Sequence, residues 1–422
     1  MEQLRALRGF RDLLSPESDT FSYIEKTAKE IFKVYSYNEI RIPTVEMTEL
    51  FIKSTGETTD IVEKEMYSFT DAGKRNISLR PEGTPCVARV FVQHKLNLSG
   101  KNSKFFYIGN MFRAERPQAG RFREFEQIGI EYLGNPSALA DAEAIILLMA
   151  FLKKTGVKDY FAEINSLGCS DCREKYKKEL LEYLKKNATQ LCQWCQNRIE
   201  KNPLRALDCK TDGPKLSLEA PKLEPCADCS SHFEKVKELL KIAEIDFKIN
   251  KNLVRGLDYY TRTVFEVKSS ALGSQDAIAG GGRYDNLIKS MGGQDTPAVG
   301  WSLGVDRLAM LIKENISLPD NAPNAFVVCA DKNALTNSFK ILNDLRNGGI
   351  SSDSSNFELS LRSQMRSADK SGASLALIIG EEELKNSTCS IKFLKSQSVQ
   401  EQIPLSELLE KMKNILNKEK LQ

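Results

Sequence analysis

Residues 112–131 read FRAERPQAGRFREFEQIGIE, two strand-like ends around a polar loop. In a strand, side chains two or four apart share a face. Phe125, Gln127, Gly129 and Glu131 therefore point one way, and Glu126, Ile128 and Ile130 the other. A face of ring, amide, glycine and carboxylate is unlike a core face, and the missing side chain at Gly129 leaves room for a ligand. Residues 105–113 supply the preceding strand, which ends on Arg113, and the loop from Ala114 to Arg121 adds Glu115, Arg116 and Arg121. This set suits a site that grips an anion with guanidinium groups, stacks a planar ring on Phe125 and offers Gln127 and Glu131 to a polar ligand. A half-exposed antiparallel sheet with a polar outer face would give the same alternation.

Three further segments weigh on that choice. LVRGLDYYTRTVFEV (253–267) places Arg255-Gly256 at a turn beside Tyr259 and Tyr260, and AGGGRYDNL (279–287) has three successive glycines that permit close backbone approach to a ligand. PAVGWSLGVDRL (297–308) is a strand of small residues leading into a helix that bears Arg307. Each has a bland reading as a loop or a solvated helix position.

Around these segments the chain mixes helix and strand signals. Ser15-Pro16 opens a helix with Ser as cap, followed by Phe21, Ile24, Ala28, Ile31, Phe32 and Tyr35 at helical spacing. A second helix is expected from Asp141 to Lys154, acidic at its start, basic at its end and stopped by Gly156. From about residue 168 to 245 the composition shifts to Lys, Glu, Leu and Cys with helical periodicity, which marks an insertion within a domain spanning 1–323. After the Asn321-Ala322-Pro323-Asn324 linker, apolar strand runs alternate with helical runs, so residues 324–422 form a separate α/β domain.

Composition bounds the function. The 422 residues are 41% hydrophobic and 28% charged, enough for more than one core, and 60 basic against 57 acidic residues leave a net charge of only +3. Any nucleic-acid surface must be local. The longest apolar run, Ala144 to Leu152, is far short of the ~20 residues of a membrane span. The first residues lack the hydrophobic core of a secretory signal, so a cytoplasmic, reducing setting is expected. Ten cysteines there are thiols or metal ligands rather than disulfides. With only His94 and His232, catalysis built on several imidazoles is excluded.

Seven cysteines cluster between 169 and 229. Cys169-x₂-Cys172 and Cys192-x₂-Cys195 are separated by nineteen residues, 173 to 191, a spacing found in Cys₄ zinc sites. Cys226-x₂-Cys229 is a third pair and Cys209 a further thiol. A tetrahedral zinc held by two of the three pairs would staple an insertion whose own core is small, with the choice of pairs open. Reduced thiols in helices are the alternative.

RGFRDLLSPES (8–18), RIPTVEMTELF (41–51), RPEGT (80–84), the 112–131 stretch and the three segments above resemble, in that order, histidyl-tRNA synthetases of class II. ADKSGASLALIIGEEEL (368–384) is similar to that family's anticodon-binding domain. The resemblance implies an α+β fold: a class II catalytic domain on an antiparallel sheet flanked by helices, a largely helical Cys-rich insertion and a C-terminal α/β anticodon-binding domain. It also implies ATP-dependent histidylation of tRNA(His) through histidyl adenylate, with Mg²⁺ on the ATP. By resemblance, Arg113 and Arg255 are catalytic, and Arg113, Glu115, Arg121, Phe125 and Arg307 bind ATP, with Phe125 and Arg307 sandwiching the adenine. Glu82, Gly83, Thr84, Gln127, Glu131, Tyr259 and Tyr260 hold histidine. Arg116 and Gln118 meet the tRNA acceptor end, and a homodimer forms near RIPTVEMTELF. The family does not generally need zinc for its chemistry. Asp306 stands where the family usually has Glu, and Trp301 where Phe is common. Relatives retained as regulatory subunits generally lack the arginine of LVRGLDYY and the last domain; a zinc-stapled RNA-binding protein would explain the cysteines but not the pocket residues.

Overall fold

The computed structural model describes the chain except residues 1–2, 57–58, 100–102, 198, 201, 208, 210, 274–275, 314, 317, 319–320, 396–399 and 420–422. It divides into two compact units, Met1–Leu318 and Pro319–Gln422. Among the described residues no helix is long and apolar enough to cross a membrane.

The first unit is built on an eight-stranded sheet. Its order is Asn38–Glu39, Ser103–Phe112, Glu124–Leu133, Ala298–Gly304, Ala277–Arg283, Thr261–Ser269, Tyr160–Ser166 and Phe247–Ile249. The six inner strands pair antiparallel, and only the short edge strands run parallel to their neighbours. Helices Glu17–Val34 and Ala138–Lys154 pack on one face. There Ile24, Phe32, Leu148 and Phe151 meet Ile128, Ile130 and Trp301 of the sheet in the main core. Trp301 is buried there, and its indole N–H is satisfied by the Ala144 carbonyl at 2.9 Å.

The expected helix starts need amendment. Ser15 does not cap the first helix; its hydroxyl instead lies 2.6 Å from Asp19. Helix 138–154 begins three residues earlier than the charge pattern suggests, capped by Ser137, whose hydroxyl accepts from the Leu139 N–H. Asp141, read from sequence as a dipole-stabilising first-turn acid, is fully buried and accepts from Arg283 Nε at 2.9 Å and faces His232 Nε2 at 2.7 Å. Burial opposes its charge, but Arg283 and His232 overcome this and hold its pKa below the usual carboxylate range. His232 is thus a structural residue.

Between Ser166 and Phe247 the insertion folds as helices Ser170–Lys186, Gln193–Gln196, Gly213–Glu219 and Ala227–Ile242 with short turns. It has a small core of its own, centred on Tyr176, Leu180, Leu184 and Leu216. A three-stranded sheet, Val45–Met47, Asn76–Leu79 and Ser68–Thr70, stands apart from the large one.

The second unit is a five-stranded sheet ordered Ser352–Ser354, Ala325–Cys329, Leu375–Ile379, Thr388–Phe393, Glu401–Pro404. Its first three strands are parallel and its last two antiparallel. The apolar runs at 325–329 and 375–379 are its buried central strands, as expected for strands covered on both faces.

Candidate active site

The hairpin of 103–112 and 124–133 places its loop at one rim of a cavity of about 590 Å³. Arg113, Glu115, Arg121, Phe125, Gln127, Arg255, Tyr259, Tyr260 and Arg307 all line it. The guanidinium of Arg113 lies 5.4 Å from the Phe125 ring centre, and its Nε donates to the Pro81 carbonyl at 2.9 Å. Arg121 is paired with Glu115 at 3.1 Å. Arg307 enters from helix Val305–Ile312 and donates to the Ala277 carbonyl at 2.6 Å; burial and the nearby Arg121 charge both lower its pKa. The neighbouring Asp306 is buried and accepts from Arg11 at 2.7 Å, so the shorter acid is used to anchor the RGFRD segment. Arg116 and Gln118 are exposed on the loop tip, which is closed by paired backbone hydrogen bonds between Gln118 and Arg121.

The floor beside this rim is carboxylate and phenol. Glu82 accepts from the Tyr259 hydroxyl at 3.0 Å and the Thr55 hydroxyl at 3.1 Å, and burial raises its pKa. The rings of Tyr259 and Tyr260 pack at 4.7 Å between centres with their planes tilted by 49°. Gln127 accepts from the buried Tyr107 hydroxyl at 3.2 Å. Glu131 is fully buried, with one oxygen taking the Thr84 hydroxyl at 2.7 Å and the other the Tyr284 hydroxyl; burial pushes its pKa up to about 8. Glu131, Thr84 and Gly83 lie behind the cavity wall rather than on it.

Two expectations about glycines change. A Cβ on Gly129 would lie 2.4 Å from the Tyr107 ring, so the missing side chain admits Tyr107, not a ligand; Gly83 faces the other side of the same ring at 2.3 Å. Likewise a Cβ on Gly280 would lie 2.1 Å from the Arg255 guanidinium, and Gly281 and Gly282 face neighbouring strands. The glycine run lets protein groups, above all Arg255, lie flat on the sheet.

Arg255 is held there by Glu266, a partner the sequence reading missed. Burial opposes its charge, but Glu266 outweighs this and raises its pKa. The signal was a lone acid in the apolar run TVFEV, whose alternation puts Glu266 on the face away from Phe265. Tyr107, Tyr284 and Arg205, none of them singled out by spacing, complete the surroundings. Arg205 belongs to the insertion and donates to the Gly256 carbonyl at 2.6 Å.

The cysteines sort into two groups, not one. Cys169, Cys172, Cys226 and Cys229 come together at the root of the insertion, so the first and third pairs share a site. Cys192 and Cys195 lie apart from them with Cys209 and Asp212. In each group all four ligand atoms lie within 4.8 Å of one another. Of the pairings the sequence leaves open, the structure brings together the first and third, because helix Ser170–Lys186 carries the chain away from the first pair before the second is reached.

Comparisons with known proteins agree with this architecture. The family model for histidyl-tRNA synthetase matches residues 9–308, and that for the anticodon-binding domain matches 324–415. Histidine–tRNA ligase of Elusimicrobium minutum is 50% identical over 97% of this chain and 99% of its own length, and that of Halothermothrix orenii is 45% identical over 98% and 100%. The structure of apo S. aureus histidyl-tRNA synthetase superposes with a TM-score of 0.84 at 32% identity, covering 97% of this chain and all of that one. With sheet, motif loop and terminal domain all in agreement, the chain belongs to the histidyl-tRNA synthetase family.

Proposed function

We propose that this cavity attaches L-histidine to tRNA(His) in protein synthesis, by way of histidyl adenylate. The observation that carries the residue assignments is that Arg113 and Arg255 line one cavity together with Phe125, Arg307, Gln127 and Tyr259. The carboxylate of histidine attacks the α-phosphorus of ATP, the bond to the β-phosphate oxygen breaks and pyrophosphate leaves. The nucleophile is already ionised, so no side-chain base is needed. What the step needs is alignment and neutralisation of developing charge, which two guanidinium groups provide. Mg²⁺ enters on the phosphates as part of the nucleotide substrate. A terminal ribose hydroxyl of the tRNA then takes the acyl group and AMP leaves.

Phe125 and Arg307 take the two faces of the adenine, with Glu115 and Arg121 further along the nucleotide. Glu82 and Gln127 receive the ammonium of histidine; Thr84, expected with them, lies behind the cavity wall with its hydroxyl on Glu131. Glu131, Tyr259 and Tyr260 receive the imidazole, which has one donor and one acceptor nitrogen to satisfy. Thr84 and Tyr284 each take one oxygen of Glu131, and the carboxylate keeps acceptor capacity for the imidazole N–H. Arg116 and Gln118 meet the acceptor end of the tRNA, and the second unit reads the anticodon. The enzyme works in the cytoplasm as a homodimer, and a structural Zn²⁺ is held by two of the three Cys-x₂-Cys pairs, Cys169/Cys172 and Cys226/Cys229.

The test is histidine-dependent ATP–pyrophosphate exchange followed by charging of tRNA(His). Exchange that requires histidine and is lost in Arg255→Ala supports the assignment. Histidine binding without exchange in the unaltered chain would overturn it in favour of a regulatory relative.

A further inference from the structure

Both cysteine groups have the dimensions of a metal site. Cys169 and Cys172 sulfurs are 3.6 Å apart, and those of Cys192 and Cys209 are 3.8 Å apart. A disulfide would bring them to about 2.05 Å. Four sulfurs bound tetrahedrally at about 2.3 Å from zinc are separated by about 3.8 Å. Both groups also have an outer shell of backbone donors. The Cys169 N–H points at Cys229 Sγ at 3.1 Å and the Cys226 N–H at Cys172 Sγ at 3.2 Å. In the second group the Cys192 N–H donates to the Asp212 carboxylate at 3.0 Å and the Asp212 N–H to Cys209 Sγ at 3.5 Å. Such donors stabilise anionic ligands around a cation. Thiolates with one carboxylate at tetrahedral separations suit zinc among the common divalent ions.

The placement of the two groups gives them a task. Asn202 and Arg205 lie in the stretch of chain between Cys195 and Cys209, and both reach the loop that carries Arg255. Asn202 donates to the Asp258 carboxylate at 3.0 and 3.1 Å, and Arg205 to the Gly256 carbonyl at 2.6 Å. From the root group, Arg173 follows directly on Cys172 and donates to the carbonyls of Asp258 at 3.2 Å and Tyr260 at 2.5 Å. The loop from Gly256 to Tyr260 is thus held by three insertion side chains, each next to or enclosed by metal-ligand positions. Arg205 and Leu207 also form part of the cavity wall.

We propose that the insertion binds two zinc ions, one in Cys169/Cys172/Cys226/Cys229 and one in Cys192/Cys195/Cys209/Asp212, and that the second ion positions Asn202 and Arg205 against the loop bearing Arg255. This deepens the zinc reading above and uses the exchange reaction only as one readout. Asn202 and Arg205 are positioning residues, acting through the backbone of that loop.

The full chain, expressed in zinc-replete medium and purified with reductant, is assayed by elemental analysis, by hydrogen exchange of residues 253–260 and by exchange kinetics. Two zinc ions per chain are expected in the unaltered protein, one in Asp212→Ala, and two again in Asp212→Cys. Asp212→Ala should also speed hydrogen exchange in 253–260 and lower kcat by about 10–100-fold. The KM for histidine should move less than kcat, and Asp212→Cys should restore both. Arg205→Ala, which touches no ligand, should keep both ions and reproduce the loosened loop, so the proposal stays testable if Asp212→Ala does not fold. Fewer than two ions in the folded, unaltered chain overturns the two-centre assignment, and none at all also overturns the zinc reading. Two ions combined with unchanged protection of 253–260 in both variants overturns the positioning role alone. Absence of exchange in the zinc-loaded unaltered chain would instead count against the histidylation chemistry.

Discussion

The proposed chemistry rests on Arg255, and its position rests on a side chain that is absent. Gly280 leaves the surface on which the guanidinium lies, and Glu266 holds it there. Arg255→Ala should remove transition-state stabilisation comparable to an oxyanion donor, roughly 2.7–4 kcal/mol, or about 10²–10³ in kcat for pyrophosphate exchange. Gly280→Ala makes a sharper test. Its nearest neighbours would be the end of the Arg255 side chain, 2.1 Å away, not backbone, so the arginine can move off Glu266 while the sheet keeps its place. Exchange should fall towards the Arg255→Ala level while the melting temperature stays within a few degrees of the original. A Gly280→Ala enzyme of full activity would show that Arg255 need not lie where it does. Gly300→Ala should behave differently, because its Cβ would meet backbone, the Ile130 carbonyl at 2.4 Å, as well as Glu131; it should lower stability and activity together. At this scale the sequence was informative about which residues gather and silent about why they stay. Arg113, Arg255, Phe125 and Arg307 are legible as motifs and Glu266 only by its alternation, whereas Tyr107 and Tyr284 meet their partners over distances that no local spacing encodes.

Within an element, two-residue alternation in strand 124–133 sets Phe125 and Gln127 on the cavity and Ile128 and Ile130 in the core, and it leaves one carboxylate on the core side. Glu126 shares its face with Ile128 and Ile130, its Oε1 is buried without a hydrogen-bond partner, and burial, then the charge of Glu25, pushes its pKa up to about 8. The sign follows from linkage. Between pH 4.5 and 8 the folded chain keeps a proton on Glu126 that the unfolded chain releases, so stability falls as pH rises through this window and levels off above it. Glu131, also held at about 8, adds to the same slope. Glu126→Gln should flatten part of the decline without affecting histidine affinity, as urea denaturation at pH 5, 6.5 and 8 would show. An unchanged slope in the variant would mean that Glu126 is ionised in the folded chain. Hairpin, insertion and terminal-domain elements were all legible because each has its own periodicity. The partition of the cysteines was not, since spacing along a chain identifies ligand pairs but the turn between helices decides which pairs meet.

For the whole molecule, the small sheet points outward in an unusual sense. Its register sets Met47, Ile77 and Phe69 side by side across three strands, with Val45 and Leu79 in the next row of the same face. Val45, Met47 and Phe69 are 41%, 46% and 50% exposed. On the opposite, polar face only Ser78 is buried, its hydroxyl 2.8 Å from those of Thr48 and of the exposed Ser68. An apolar row left on solvent is costly for an isolated chain, and burial against a second copy removes that cost. The face lies in and beside RIPTVEMTELF, where the family resemblance had put the subunit contact, so the occupant expected is a second copy of this chain. Sedimentation velocity should find a dimer for the unaltered protein and monomer for Met47→Glu/Phe69→Glu, with the variant's far-ultraviolet circular dichroism unchanged because both positions point away from the core. A stable, fully active monomer before any substitution would place the contact elsewhere and leave this apolar row unexplained.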